Sequence, residues 1–236
     1  MALGLSSTLS KTGFTNPVAG IVTDSLVLKH NYAAGGVSLV SDGAASLDGT
    51  DDYIALGSDV VITDDQFTLM GWYNFNSFSG NPHLFSDSST TDKYIRVKSD
   101  GSEIYLETDS NADDATFVLS SALTTGRWYH IALTRNDETW GGYIDGVFKA
   151  FYDTTSGNNS LTIDRLGGAR FLNGYMCNVG IWSAVLTQAQ IKSIMWKNYA
   201  GLTSSETDNL VSWWNLDEAD GSTVEDLHGS NDGTLT

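Results

Sequence analysis

From Gly126 to Ile191 the chain alternates strand-forming runs with tight-turn residues at short spacing, a pattern that packed antiparallel sheets absorb and a helical fold does not. Arg127 to Arg135 places Trp128, His130, Ala132 and Thr134 on one face of a strand and Tyr129, Ile131 and Leu133 on the other. Asp145-Gly146 then closes a hairpin, because a two-residue primed turn needs positive φ and Asp-Gly tolerates it. The same texture predicts strands at Leu26–Asn31, Tyr53–Leu56, Phe67–Phe75, Lys93–Lys98, Glu103–Glu107, Thr116–Leu119, Trp140–Ile144, Val147–Phe151, Leu161–Asp164, Tyr175–Trp182 and Leu210–Leu216. One helix is expected, from about Gln188 to Tyr199. Thr187 and Gln190 form its capping box, Leu186 and Ile191 its hydrophobic staple, and Ile191, Ile194 and Met195 its buried stripe.

Charge narrows the partners. With 12 Lys and Arg against 29 Asp and Glu, the formal net charge is -17, which repels nucleic acid and anionic membranes. No run reaches transmembrane length, and Met1 to Ser7 lacks the basic and apolar regions of a secretory signal, so synthesis in a cytoplasm without export is expected. The single cysteine, Cys177, excludes an intramolecular disulfide. It is read as a buried inert thiol on a face shared with Tyr175, Val179 and Ile181.

Residues 1–20 are small, polar and Gly-punctuated, and read as an arm ahead of one domain over 21–236. Either a frayed terminus or an arm ordered against a neighbouring subunit fits them. A shift of 184 positions superimposes residues 24–50 on 208–234 with eleven identities, among them Leu26/Leu210, Asn31/Asn215, Asp42/Asp226 and Asp48-Gly49-Thr50/Asp232-Gly233-Thr234. Three arrangements account for this repeat: neighbouring strands in one sheet, pairing of the final segment with an adjacent subunit, or the stub of a second module.

Five pieces in order carry a family resemblance: Trp128-Tyr129-His130-Ile131-Ala132-Leu133-Thr134, Tyr143-Ile144-Asp145-Gly146, Leu166-Gly167-Gly168, Phe171-Leu172-Asn173-Gly174-Tyr175-Met176, and Ile181-Trp182 through Leu186-Thr187 to Gln190-Ile191. Over roughly residues 24 to 236 they resemble laminin G-like members of the concanavalin A-like lectin and glucanase superfamily. The resemblance implies an all-β fold, a concanavalin A-like jelly-roll sandwich of two antiparallel sheets with one short helix in the C-terminal half. That scaffold carries lectins, adhesion modules, virus surface proteins and a few glycosidases, so it narrows function without deciding it.

Catalysis finds little support. Glucanases of this scaffold use an E-x-D-x-E-like run, whereas here Glu103-Ile104-Tyr105-Leu106-Glu107 has tyrosine at the central position and follows a hairpin tip, Ser99 to Ser102, that puts Glu103, Tyr105 and Glu107 toward solvent. No G-x-S-x-G elbow occurs, His30, His83, His130 and His228 lack zinc-ligand spacing, and no phosphate-cradling loop is present. Calcium is a possible cofactor, since the fold commonly holds it at a rim; among the oxygen-rich loops at Asp48–Asp52, Asn111–Asp114 and Asp226–Asp232, the preferred ligands are Asp226, Asn231 and Asp232. For sugar stacking, Trp72, Tyr73, Trp213 and Trp214 are mostly core fillers. Trp140, beside Gly141-Gly142 and the polar Asn136, is expected to be exposed at a loop and to bind carbohydrate with Asn136.

The opening residues Met1 to Gly13 and Asp24 to Tyr32 are similar to those of tailed-bacteriophage virion proteins. The expectation is therefore a non-enzymatic protein of a virus particle, a capsid decoration or part of a fibre or spike. It would form a homo-oligomer, contact other virion subunits, and carry a glycan-binding surface for the host cell. A cellular carbohydrate-binding module or adhesin is the alternative, and a glycosidase the remote one.

Overall fold

The computed structural model describes residues 43–63, 66–88, 93–107, 115–137, 139–153, 161–218 and 221–236. The proposed arm, the N-terminal repeat as far as residue 42, and the Asn111–Asp114 loop lie outside them.

Two antiparallel sheets hold the described residues, as the sandwich reading expects. The strands are β1 (Ala45–Asp48), β2 (Ile54–Ile62), β3 (Gln66–Ser77), β4 (His83–Ser86), β5 (Tyr94–Val97), β6 (Glu103–Glu107), β7 (Ala115–Val118), β8 (Trp128–Asn136), β9 (Thr139–Ile144), β10 (Val147–Asp153), β11 (Leu161–Leu166), β12 (Asn173–Trp182), β13 (Leu210–Trp214), β14 (Thr223–Val224) and β15 (Gly233–Leu235). One sheet runs β1-β12-β3-β8-β9-β10, with β13 also on β12. The other runs β14-β15-β2-β11-β4-β5-β6-β7.

The alternation along β8 is realised. Tyr129, Ile131 and Leu133 join the core between the sheets, while Ala132 faces the other way. That second face is covered too, because α1 (Gln188–Ile194) brings Ile191 and Ile194 against Met70, Ala132, Trp182 and Trp213. The helix starts on the expected capping box, Thr187 and Gln190 each bonding the other's backbone, with Leu186 buried in the same cluster as Ile191. It is shorter than expected, ending at Ile194 before a single 3-10 turn at Tyr199–Gly201. The Asp145-Gly146 turn has φ of 52° and 68°, as a primed hairpin requires.

One face assignment is corrected. Tyr175 is exposed while Val179 and Ile181 are core, because Asn178 (φ 48°) inserts an irregularity into the β12–β3 register between Cys177 and Gly180 and inverts the alternation. The C-terminal repeat is paired within the chain: β13 continues the β12 edge that β1 begins, and β15 pairs with β2. Equivalent repeat residues serve differently, since Asp48 closes β1 ahead of a left-handed Gly49 (φ 78°), whereas Asp232 leads into the strand residue Gly233.

Candidate functional site

The two sheets differ in what they leave open. The seven-stranded sheet packs one face on the opposing sheet, and α1 covers its other face around Met70, Ala132, Trp182 and Trp213, leaving Tyr175 exposed. The eight-stranded sheet turns Ile95, Val97, Ile104, Leu106, Ile163 and Leu166 into the core, and period-two alternation puts Tyr94, Arg96, Glu103, Tyr105, Glu107 and Arg165 on its outer face.

Pairing across that sheet brings together residues distant in sequence. Arg165 on β11 sits opposite Ser86 on β4, which sits opposite Tyr94 on β5, and His83 sits opposite Arg96, itself opposite Tyr105 on β6. A stacked ladder results. The Arg96 guanidinium lies 4.9 Å from the Tyr105 ring centroid and 4.8 Å from that of Tyr94, and the Tyr94 ring stacks on His83 at 4.6 Å. Alongside, Arg165 lies 4.4 Å over Tyr53, whose ring contacts Phe171.

Next to the ladder is a depression of about 290 Å³ lined by His83, Asp87, Lys93, Tyr94, Arg165 and Arg170. His83 is 4% exposed, yet neither ring nitrogen has a hydrogen-bond partner among the described residues. Burial, reinforced by the Arg170 and Arg96 cations, pushes its pKa down to about 3 and keeps the ring neutral. Ser86 Oγ and Arg96 Nε are likewise buried without a partner. Buried polar atoms are ordinarily satisfied; others without a partner among the described residues lie on the seven-stranded sheet at Tyr73, Asn74, His130 and Asn178, and those at His83, Ser86 and Arg96 stand out by lying beside the depression and its cations.

Glu103, Tyr105 and Glu107 do face outward as the alternation predicts. Lys98 bonds Glu103 at 2.7 Å and the Tyr105 hydroxyl donates to it at 2.7 Å, and together they hold its carboxyl below the usual range. A general acid needs the opposite shift. Cys177 is buried, and burial with the nearby Asp217 charge pushes its thiol up to about 12, far from a reactive thiolate.

The expected exposure of Trp140 at a loop is corrected. Its ring is 1% exposed, edge-on to Phe67 at 5.3 Å and beneath the Arg135 guanidinium, so no face is free to stack on a sugar. Asn136 is exposed at the end of β8 and accepts from Gln66 Nε2. The two are not brought together as a site. The exposed aromatic rings lie elsewhere, at Tyr175 and Trp196, with Trp128 tilted against Tyr175.

The expected calcium ligands form a hydrogen-bonded turn. Asp226 is buried and accepts from the backbone N–H groups of Trp213, His228, Gly229 and Asn231, while Asp232 accepts from the Asp226 N–H. Burial alone would raise the Asp226 pKa, and these donors outweigh it and lower it. Asn231 donates its side-chain Nδ2 to Ser212 Oγ, and its backbone carbonyl accepts from Trp214 Nε1. Among the described residues the carboxylate oxygens that converge are those of Asp48, Asp51 and Asp52, all within 4.8 Å.

Sequence reading missed His83, Tyr94, Arg96, Arg165 and Arg170. Local alternation could have placed Tyr94 and Arg96 together, but His83 and Arg165 join them only through strand order. Among solved structures, a proposed carbohydrate-binding protein from Bacteroides ovatus is similar at 21% identity and a TM-score of 0.61, the match covering 82% of this chain and 57% of that one. The fourth domain of AbnA, an extracellular arabinanase from Geobacillus stearothermophilus solved with arabinotriose, is similar at 18% identity and a TM-score of 0.52, covering 64% of this chain and 75% of that one. No curated protein sequence matches the chain. Residues 48–192 match the laminin G model described as the concanavalin A-like lectin/glucanases superfamily. With that match spanning more than half of the sequence and the two-sheet architecture agreeing with it, the chain belongs to this superfamily.

Proposed function

We propose that the protein is a non-enzymatic glycan-binding module whose ligand lies along the outer face of the eight-stranded sheet. The observation that carries this reading is the Tyr105–Arg96–Tyr94–His83 ladder beside an open depression. The half-buried Tyr105 and Arg96 offer planar faces to sugar C–H groups, while Lys93, Arg165, Arg170 and His83, which line the depression, offer polar groups to hydroxyls. Two structural neighbours with TM-scores above 0.5, one proposed to bind carbohydrate and one solved with arabinotriose, support the same ligand class.

A glycan array probed with the full chain tests the proposal. Binding is expected, and Arg96→Ala should weaken it about tenfold while costing only the roughly 0.5 to 1 kcal/mol of each stack on Tyr94 and Tyr105, so that the variant stays folded. An Arg96→Ala protein that binds as well as the parent contradicts the assigned face.

The N-terminal resemblance supports a setting in a tailed-bacteriophage particle, as a capsid decoration or a fibre component, where many copies turn weak contacts with host glycans into firm attachment. Stoichiometric recovery of the chain from purified particles is expected; its absence from them contradicts this setting.

A further inference from the structure

We propose that the depression beside β4, β5 and β11 receives an anionic sugar, one bearing a carboxylate or a sulfate ester, so that the preferred ligand is an acidic glycan. This rests on the glycan-binding reading above and specifies its ligand.

The charge distribution is the first support. The chain has only 12 Lys and Arg against 29 Asp and Glu, yet Lys93, Arg165 and Arg170 line this one depression, with Asp87 as the opposing carboxylate. Arg96 stands beside them through its stack on Tyr94. Guanidinium groups hold carboxylates and sulfates through charge-assisted, paired hydrogen bonds that a neutral hydroxyl cannot match. Overall electrostatics would repel such a ligand, so attraction at this point must be local.

The second support is His83. It is nine-tenths buried, lines the depression, and has two ring nitrogens without partners among the described residues. A neutral imidazole presents one donor and one acceptor, which suits a sugar ring carrying both hydroxyl and acidic groups. Tyr94 and Ala169, which also line the depression, supply apolar surface for the carbon face of a pyranose.

Calorimetry on the full chain with galactotriose and its uronate counterpart, trigalacturonate, and with a sulfated galactotriose, tests the inference. At least one acidic trimer should bind about tenfold more tightly than the neutral one. Joint Lys93→Gln and Arg170→Gln replacement should erase that difference. The preference of the parent protein is itself decisive and needs no variant to fold. Equal binding of neutral and acidic trimers overturns the inference and leaves the glycan-binding reading standing, as does an acidic preference that survives the double replacement. Absence of binding to any of the three, together with an empty glycan array, overturns both.

Discussion

Trp140 is buried because of its neighbours. A Cβ on Gly141 would lie 2.6 Å from Thr134 Oγ1, and one on Gly142 2.8 Å from the Phe117 ring, so the glycine pair makes room for close packing across the sheet. Read along the chain, the same two glycines suggest a loop, and this is how the sequence misplaces Trp140. Trp140→Ala should therefore cost about 3 to 5 kcal/mol of stability, as for a large buried aromatic, while the fraction that stays folded binds glycan normally. Denaturant titration beside a binding assay checks both halves. Loss of binding without loss of stability would restore Trp140 as a ligand-contacting residue. His83 gives the converse lesson: nothing local distinguishes a buried histidine from a ligand-facing one, and the role proposed for it rests on the cations and rings that the fold gathers around it.

At the level of elements, strands with clean alternation were legible, and Glu103–Glu107 matches its expected bounds. The strands that escaped notice are short or lack alternation. All four residues of β4 are buried, and β14 has only two residues. The long strand β12 was legible as a strand but not in its facing, because a single left-handed residue inverts it. Asn178 pays for that with positive φ and with a buried amide that has no partner among the described residues. Asn178→Gly should keep the irregularity, relieve both penalties, and raise stability by about 1 kcal/mol. A fall in stability on thermal denaturation would mean that the amide contributes something the backbone geometry does not reveal. The outer face was half legible: Tyr105 follows from alternation along β6, whereas its alignment with Arg96 and His83 depends on the order β4-β5-β6, which no local pattern encodes.

For the whole molecule, buried ionisable groups set the response to acid. Burial pushes His130 down to about 3, and burial with two nearby arginines does the same to His83, so the folded state keeps both neutral while the unfolded chain protonates them near pH 6.5. Their contribution is complete above that pH and is lost as pH falls from 6.5 toward 3, at roughly 1.4 kcal/mol per pH unit for each histidine. Glu206 adds a second, lower window. Burial would raise its pKa, but Lys197, Ser193 and the Thr203 hydroxyl and N–H outweigh that and bring it to about 2, so its stabilisation is lost between about pH 4.5 and 2. Denaturation midpoints should decline steadily below pH 6.5, and a flat profile from pH 7 to 5 contradicts the neutral buried histidines. The assigned binding face also belongs to this scale, because it exists only when β11, β4, β5 and β6 lie side by side. The most direct test is the pattern of backbone amide shift changes in a nuclear magnetic resonance titration of the full chain with an oligosaccharide that it binds. Changes concentrated on β4, β5, β6 and β11, around Arg96 and Arg165, are the predicted result, whereas changes centred on Trp128 and Tyr175 of the other sheet and on Trp196 after α1 would contradict the account.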